Sequence, residues 1–297
     1  MRDAIAAGGQ VTRVRPLRGG ISASVHLVHL TDAAGHRRAV VVRRYGDHYL
    51  PSEPSPSERE FKVLEVLAGA SFPAPRPLLV DAEGGPFGTP TVVMTRLPGR
   101  PLMAPHDLTG YLRQMAHTLA DLHRLPTHEL GFLRDQRERV AHVLSTRPET
   151  DDALQLEIWD AAVAEWARVS QFDEQRVLVH GDYWPGNVLW LRNCLVGVVD
   201  WEQPRLGDLV KDVATCRGDL WVLFGQAAAD EFLHEYERAA GIRVQNLRFW
   251  ELFISTEAVR DMPEWAVAYR IMGRPDLTTQ TAVPRIRAFA QAALDRR

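Results

Sequence analysis

The stretch His180-Gly181-Asp182-Tyr183-Trp184-Pro185-Gly186-Asn187, separated by twelve residues from Asp200-Trp201-Glu202, concentrates most of the polar chemistry of this chain. Two apolar runs flank it, RVLVH at 176–180 and CLVGVVD at 194–200. The alternation in LVGVVD predicts a short strand that ends at Asp200, with NVLWL as its hairpin partner. Polar residues at the ends of such strands are held by the sheet and still reach solvent.

The residue types suit phosphoryl transfer. That reaction needs an acceptor that orients and deprotonates the attacking hydroxyl, oxygen ligands for Mg2+, and positive charge around the phosphates. Asp182, Asn187 and Asp200 supply the first two. A carboxylate and an amide five residues apart on one loop can face a common point, and Asp200 arrives from the adjoining hairpin. The competing interpretation is a polar turn in which His180 and Asp182 satisfy backbone groups.

With these residues in view, HGDYWPGN and the later DWE resemble the catalytic and metal-binding loops of the aminoglycoside phosphotransferase/choline kinase family, relatives of the protein kinases. Both follow an H-[G/R]-D-x-x-x-x-N pattern and then a metal-holding Asp. The resemblance implies Asp182 as catalytic base, Asn187 and Asp200 as metal ligands, and ATP with Mg2+ as cofactors. It also implies an α+β, bilobal protein-kinase-like fold: a small antiparallel-sheet N-lobe with one helix over 1–97, and a larger, mostly helical C-lobe over 98–297.

The first third of the chain fits that expectation. VTRVRPL, VHLVHLTD and RRAVVVRRY read as strands of a meander, and Pro98-Gly99-Arg100-Pro101 as a hinge. Between the first two runs, Gly19, Gly20 and Ser22 form a candidate phosphate loop, although a Gly-Gly pair also suits a plain hairpin. Only two lysines occur, Lys62 and Lys211, leaving 33 arginines. The family's strand anchor therefore falls on Arg43, which can hold a carboxylate and a phosphate oxygen together. Arg44 should face the other side of the strand. Glu60 matches the helical glutamate that pairs with the anchor; Glu65 competes with it, and a capping box with Ser57 as N-cap would leave Glu60 a local role. In TVVMTRL, Met94 would line the adenine pocket, with the Thr95 carbonyl and the Leu97 amide facing the base.

The rest of the chain reads as helix. Leu108, Leu112, Met115, Leu119 and Leu122 recur near 3.6 spacing, and further helices are expected near 133–145, 150–169, 207–240, 246–262 and 280–295. The resemblance places a loop-buttressing aspartate at Asp212, while Asp208 suits a helix N-cap and His123 a structural position. For the acceptor, Tyr183 and Trp184 are candidate pocket walls, although aromatics at these positions equally suit the core. Glu202, close to the metal in sequence, could bind a cationic substrate or a water in the metal's outer shell; the i,i+4 pair Glu257/Asp261 could attract ammonium groups, or lie on a solvated face.

Composition narrows the classes. A net charge of −3 and a pI near 6.4 argue against nucleic acid as partner. Two cysteines without metal-ligand spacing, no signal-like N-terminus and no apolar run of membrane length lead us to expect a cytoplasmic protein without membrane contact. No G-x-x-x-x-G-K-[ST] occurs, which removes the P-loop fold on its own motif. The expected activity is ATP- and Mg2+-dependent phosphorylation of an aminoglycoside-, choline-, homoserine- or sugar-like hydroxyl. A nucleotide-binding regulator without turnover is the alternative.

Overall fold

The computed structural model describes residues 9–17, 23–46, 56–169 and 176–296. Gly19, Gly20 and Ser22 lie outside the described residues. The chain divides into two compact units, one made of residues up to Pro98 with Val196–Glu202, the other of Gly99–Leu195 with Gln203–Arg297. The segment carrying Asp200 thus belongs with the strand-rich unit, although it follows Asp182 in sequence.

The first unit holds β1 (Gln10–Pro16), β2 (Ala23–Thr31), β3 (Arg37–Tyr45), α1 (Pro56–Gly69), β4 (Pro77–Asp81) and β5 (Thr91–Thr95). Its five strands form one antiparallel sheet in the order β1-β2-β3-β5-β4. Val28, Leu30, Val40, Val42, Phe87 and Val93 build an apolar cluster on one face. Because side chains alternate along a strand, Arg43 and Tyr45 point away from Val42, and both reach Glu60 of α1. Arg44 points the other way and donates to the Phe87 carbonyl at 2.9 Å. Ser57 is not an N-cap, since α1 already begins at Pro56; its buried hydroxyl lies 3.5 Å from the Asp81 carbonyl. Glu60 is likewise buried on Tyr45 and Arg43 rather than closing a capping box.

The second unit begins with β6 (Arg100–Pro101), α2 (Leu108–His123), α3 (Gln136–Leu144) and α4 (Ala153–Val169). The Asp107 side chain caps α2 on the Gly110 amide at 2.9 Å, and Leu112, Met115, Leu119 and Leu122 are buried as the periodicity predicts. Short strands follow: β7 (Val177–Val179), β8 (Val188–Leu191), β9 (Cys194–Val198) and β10 (Arg205–Gly207). β7 pairs with β10, and β8 stands between β6 and β9. The region expected as one helix over 207–240 is two, α5 (Val210–Phe224) and α6 (Gln226–Ala240), because Gly225 sits at φ +91° and breaks the turn. α7 (Leu247–Ile271) runs beyond the expected end at 262 and carries Pro263 inside it; packing of its buried face on α4, α5 and α8 (Thr279–Asp295) outweighs the lost backbone hydrogen bond. Among the described residues no helix is long and apolar enough to cross a membrane.

Candidate active site

In the second unit, β7 delivers the chain to His180, and the loop from there to Asn187 is fixed from behind by one carboxylate. Asp212, fully buried on the first turn of α5, accepts from the His180 amide at 2.7 Å and the Gly181 amide at 2.9 Å. Burial pushes the Asp212 carboxyl up, but the hydrogen bond and charge of His123, with Lys211 and His180, outweigh it and hold the group below the usual carboxylate range. His123 Nε2 lies 3.4 Å from Asp212, and His123 Nδ1 lies 2.7 Å from the Tyr236 hydroxyl. Lys211 Nζ donates to the Gly181 carbonyl. Gly181 itself has φ +88°, and a Cβ there would lie 2.3 Å from the Gln203 carbonyl oxygen, so the turn into the loop admits only glycine without a shift. His123 is thus part of the buried support, and Asp208 serves as a cap, accepting from the Val210 amide at 2.9 Å and from Trp250 Nε1 at 2.7 Å.

On this support sits Asp182, part-exposed. Its amide donates to His180 Nδ1 at 3.1 Å, and Asn187 Nδ2 donates both to its carbonyl and to its Oδ2, each at 2.9 Å. Asn187 is drawn close by a 3-10 turn, Pro185–Asn187. Its Oδ1 has no hydrogen-bond partner among the described residues. Tyr183 is no pocket wall: it is fully buried and donates to the Met115 carbonyl at 2.9 Å. Trp184 is part-exposed and packs edge-on against Tyr269 at 5.7 Å.

In the first unit the charges are arranged differently. Arg43, 7% exposed, reaches Asp200 Oδ1 at 2.6 Å and Glu202 Oε2 at 2.9 Å through Nη1, while its Nε lies 3.6 Å from Glu60 Oε1. The Tyr45 hydroxyl donates to the other Glu60 oxygen at 2.5 Å. Burial pulls the Arg43 pKa down, yet Asp200 and Glu60 raise it further, so the guanidinium stays charged. Burial raises the Glu60 carboxyl against the pull of Arg43 and Tyr45. Glu65 is exposed and takes no part. Glu202 is buried on Arg43, with its carbonyl accepting from Arg59. Asp200 has φ +72°, a left-handed backbone that Asp tolerates better than most residues and that recurs at functional turns. Its Oδ2 has no hydrogen-bond partner among the described residues.

The oxygens left over in each unit are of the kind a hard divalent cation takes. Among the described residues Asn187 Oδ1 in the second unit and Asp200 Oδ2 in the first have no hydrogen-bond partner, and around Arg43 three carboxyl groups share one guanidinium. For the adenine side, Met94 is buried, Thr95 closes β5 by exchanging hydrogen bonds with Arg76, and the Leu97 side chain lies against Gly197. The Glu257/Asp261 pair is taken up by arginines, Glu257 by Arg139 and Asp261 by Arg260, each at 2.6 Å.

A strand-rich unit with a buried Arg–Glu pair and a helical unit with a supported H-G-D-x-x-x-x-N loop define a phosphotransferase of the protein-kinase-like class. The chain belongs to the phosphotransferase enzyme family, whose model matches residues 13–253. Similar solved structures include a thermostable mutant of aminoglycoside phosphotransferase APH(4)-Ia in complex with AMP-PNP and hygromycin B (TM-score 0.64, 18% identity, 96% of this chain and 94% of that one). Macrolide 2'-phosphotransferase type I is similar as well (TM-score 0.63, 19% identity, 92% and 93%). At these identities the likeness establishes the fold. Among curated proteins, viomycin phosphotransferase of Streptomyces vinaceus is 29% identical over 180 residues, 51% of this chain and 58% of that one. Acyl-CoA dehydrogenase family member 11 of Gallus gallus is 27% identical over 177 residues, 53% of this chain and 22% of that protein. The match spans about a fifth of the length of the acyl-CoA dehydrogenase relatives.

Proposed function

We propose that this chain transfers the γ-phosphoryl group of ATP to a hydroxyl of a small molecule, with Mg2+ as metal. The observation that carries this reading is the Asp182 carboxylate, oriented by Asn187 at 2.9 Å on a loop whose amides Asp212 holds in place. The transition state of phosphoryl transfer is loose, so the base chiefly orients the hydroxyl and takes its proton late. Asp182 does this; Asn187 and Asp200 hold the metal, which supplies charge neutralisation at the phosphate oxygens. Arg43, kept in place by Glu60, binds phosphate oxygens. Gly19, Gly20 and Ser22 supply backbone and hydroxyl donors to the phosphates, and Thr95 and Leu97 bind adenine through the backbone beside Met94.

The acceptor class is broader than the family name. Aminoglycosides, choline, homoserine and sugars belong on a test panel, and so does a hydroxyacyl thioester, because three relatives are named acyl-CoA dehydrogenases. The test is ADP release across that panel, with thermal shift by ATP with and without Mg2+. Transfer to at least one small hydroxyl, lost in Asp182→Ala while the nucleotide shift survives, is the expected result. Metal-dependent ATP binding with no transfer to any acceptor would favour the regulator instead.

A further inference from the structure

No motif singles out Asp219, yet α5 carries it to the catalytic loop. It lies seven residues after Asp212, and seven residues are nearly two whole turns, so the two carboxylates share one face of the helix about 10 Å apart along its axis. Asp212 uses that face to hold the His180 and Gly181 amides. The same helix packs on the turn Pro185–Asn187. Tyr269, 2% exposed on α7, donates its hydroxyl to Asp219 Oδ1 and sets its ring edge-on against Trp184, two residues past the base.

The second oxygen, Oδ2, makes no hydrogen bond among the described residues, and the residue is part-exposed. Burial pushes the Asp219 carboxyl up to about 7; the Tyr269 hydrogen bond opposes this, the negative charge of Asp182 adds to it, and Lys211 opposes it in turn. A carboxyl so placed weakens the fold. Asparagine would keep the Tyr269 bond and relieve both burial and repulsion. The carboxyl thus keeps one oxygen unused among the described residues, on the helix that packs on the turn Pro185–Asn187.

We propose that Asp219 is an acceptor-recognition residue: its Oδ2 accepts a second O–H or N–H donor of the acceptor while the reacting hydroxyl sits on Asp182. The inference rests on the phosphotransferase reading for the role of Asp182. It selects acceptors that carry a donor a few atoms from the reacting hydroxyl, as diols and amino alcohols do, over simple alcohols. Tyr269 is the positioning residue, holding the carboxylate and the Trp184 ring in one register.

The test is binding to the full chain loaded with Mg2+ and AMP-PNP, followed by ligand-observed NMR. The probes are cyclohexanol, cyclohexane-1,2-diol and 2-aminocyclohexanol, with hygromycin B as a larger probe rich in donors. We expect the diol or the amino alcohol to bind at least tenfold more tightly than cyclohexanol, and Asp219→Asn to erase that advantage without changing AMP-PNP affinity. A better amino alcohol than diol identifies an ammonium as the partner; the reverse order identifies a hydroxyl. The melting temperature of Asp219→Asn should be unchanged or higher, which a structural role would not allow. Tyr269→Phe should weaken the advantage by a smaller factor. Equal binding of the three ring probes, no binding by any, an advantage that survives in Asp219→Asn, or a fall in melting temperature with loss of every ligand would each overturn the inference. Since binding needs no turnover, absence of transfer with the advantage intact would count against the phosphotransfer reading alone.

Discussion

Two regions of this molecule hold charged side chains in opposite ways. Around Arg43, ionic groups satisfy one another: one guanidinium serves Asp200, Glu202 and Glu60, and the backbone contributes little. Around Asp182, a single buried carboxylate, Asp212, holds backbone amides, and the working side chain is left part-exposed above it. In the proposed reaction the first arrangement would supply charge to a phosphate ligand. The second fixes geometry. A group meant to orient a hydroxyl has to be placed to a fraction of an ångström, whereas a group that neutralises phosphate works by charge at short range and tolerates rearrangement.

The difference is open to direct attack. The largest effect is expected from Asp182→Ala, which should lower transfer about 10²–10⁴-fold and leave nucleotide binding in place, as read by ADP release and by thermal shift with ATP. Arg43→Ala should do the converse. It leaves buried carboxylates without their partner at a cost of about 3–5 kcal/mol, so denaturant unfolding should show a large loss of stability and the ATP shift should vanish. Arg43→Lys keeps the charge but loses the fork, and intermediate values for both would confirm that one guanidinium serves several acids.

Asp212→Asn comes next. Asparagine keeps one carbonyl acceptor but its NH2 cannot accept, so one loop N–H loses its partner, and about 1–3 kcal/mol of stability should go. Transfer should fall by more than ATP affinity does, because the variant disturbs the loop and not Arg43. Equal losses in both would break the proposed division between charge and geometry.

A further effect is one of pH. An unfolded aspartate loses its proton near 4, whereas folded Asp219 keeps it to about 7. Between those values the folded chain binds the extra proton, so this group costs nothing at low pH and its penalty grows as pH rises to 7. Asp219→Asn carries no such proton. Its stability relative to the parent should therefore climb from pH 4 to pH 7, by at most about 1.4 kcal/mol for each pH unit crossed, and level off above. A difference that stays flat across that window in denaturant unfolding would refute the raised Asp219 carboxyl.

Much of this was legible in the amino-acid order. HGD-x4-N and the strand alternation around it depend on neighbours in sequence, so the loop, the hairpin and the buried stripe of α2 follow from spacing. Arg43 and Glu60, a strand residue and a helix residue seventeen positions apart, were reachable only through the family resemblance. Tyr45 shares the strand face of Arg43 and could have been found by counting in twos. The contact of Glu202 with Arg43 was not legible because the two lie 159 positions apart, and Tyr183 stayed open between pocket and core because an aromatic on that loop looks the same in sequence either way.

The sequence by itself determined the phosphotransferase family and the class of fold, since both rest on short-range patterns of residue type. Only the tertiary structure decided that the DWE segment keeps company with Arg43, that Asp212 holds the loop with His123 and Tyr236 behind it, and that Asp219 and Tyr269, fifty residues apart, meet beside Trp184. Those pairings come from tertiary packing between elements distant in sequence, in which burial selects faces and leaves no periodic trace of which two faces will touch.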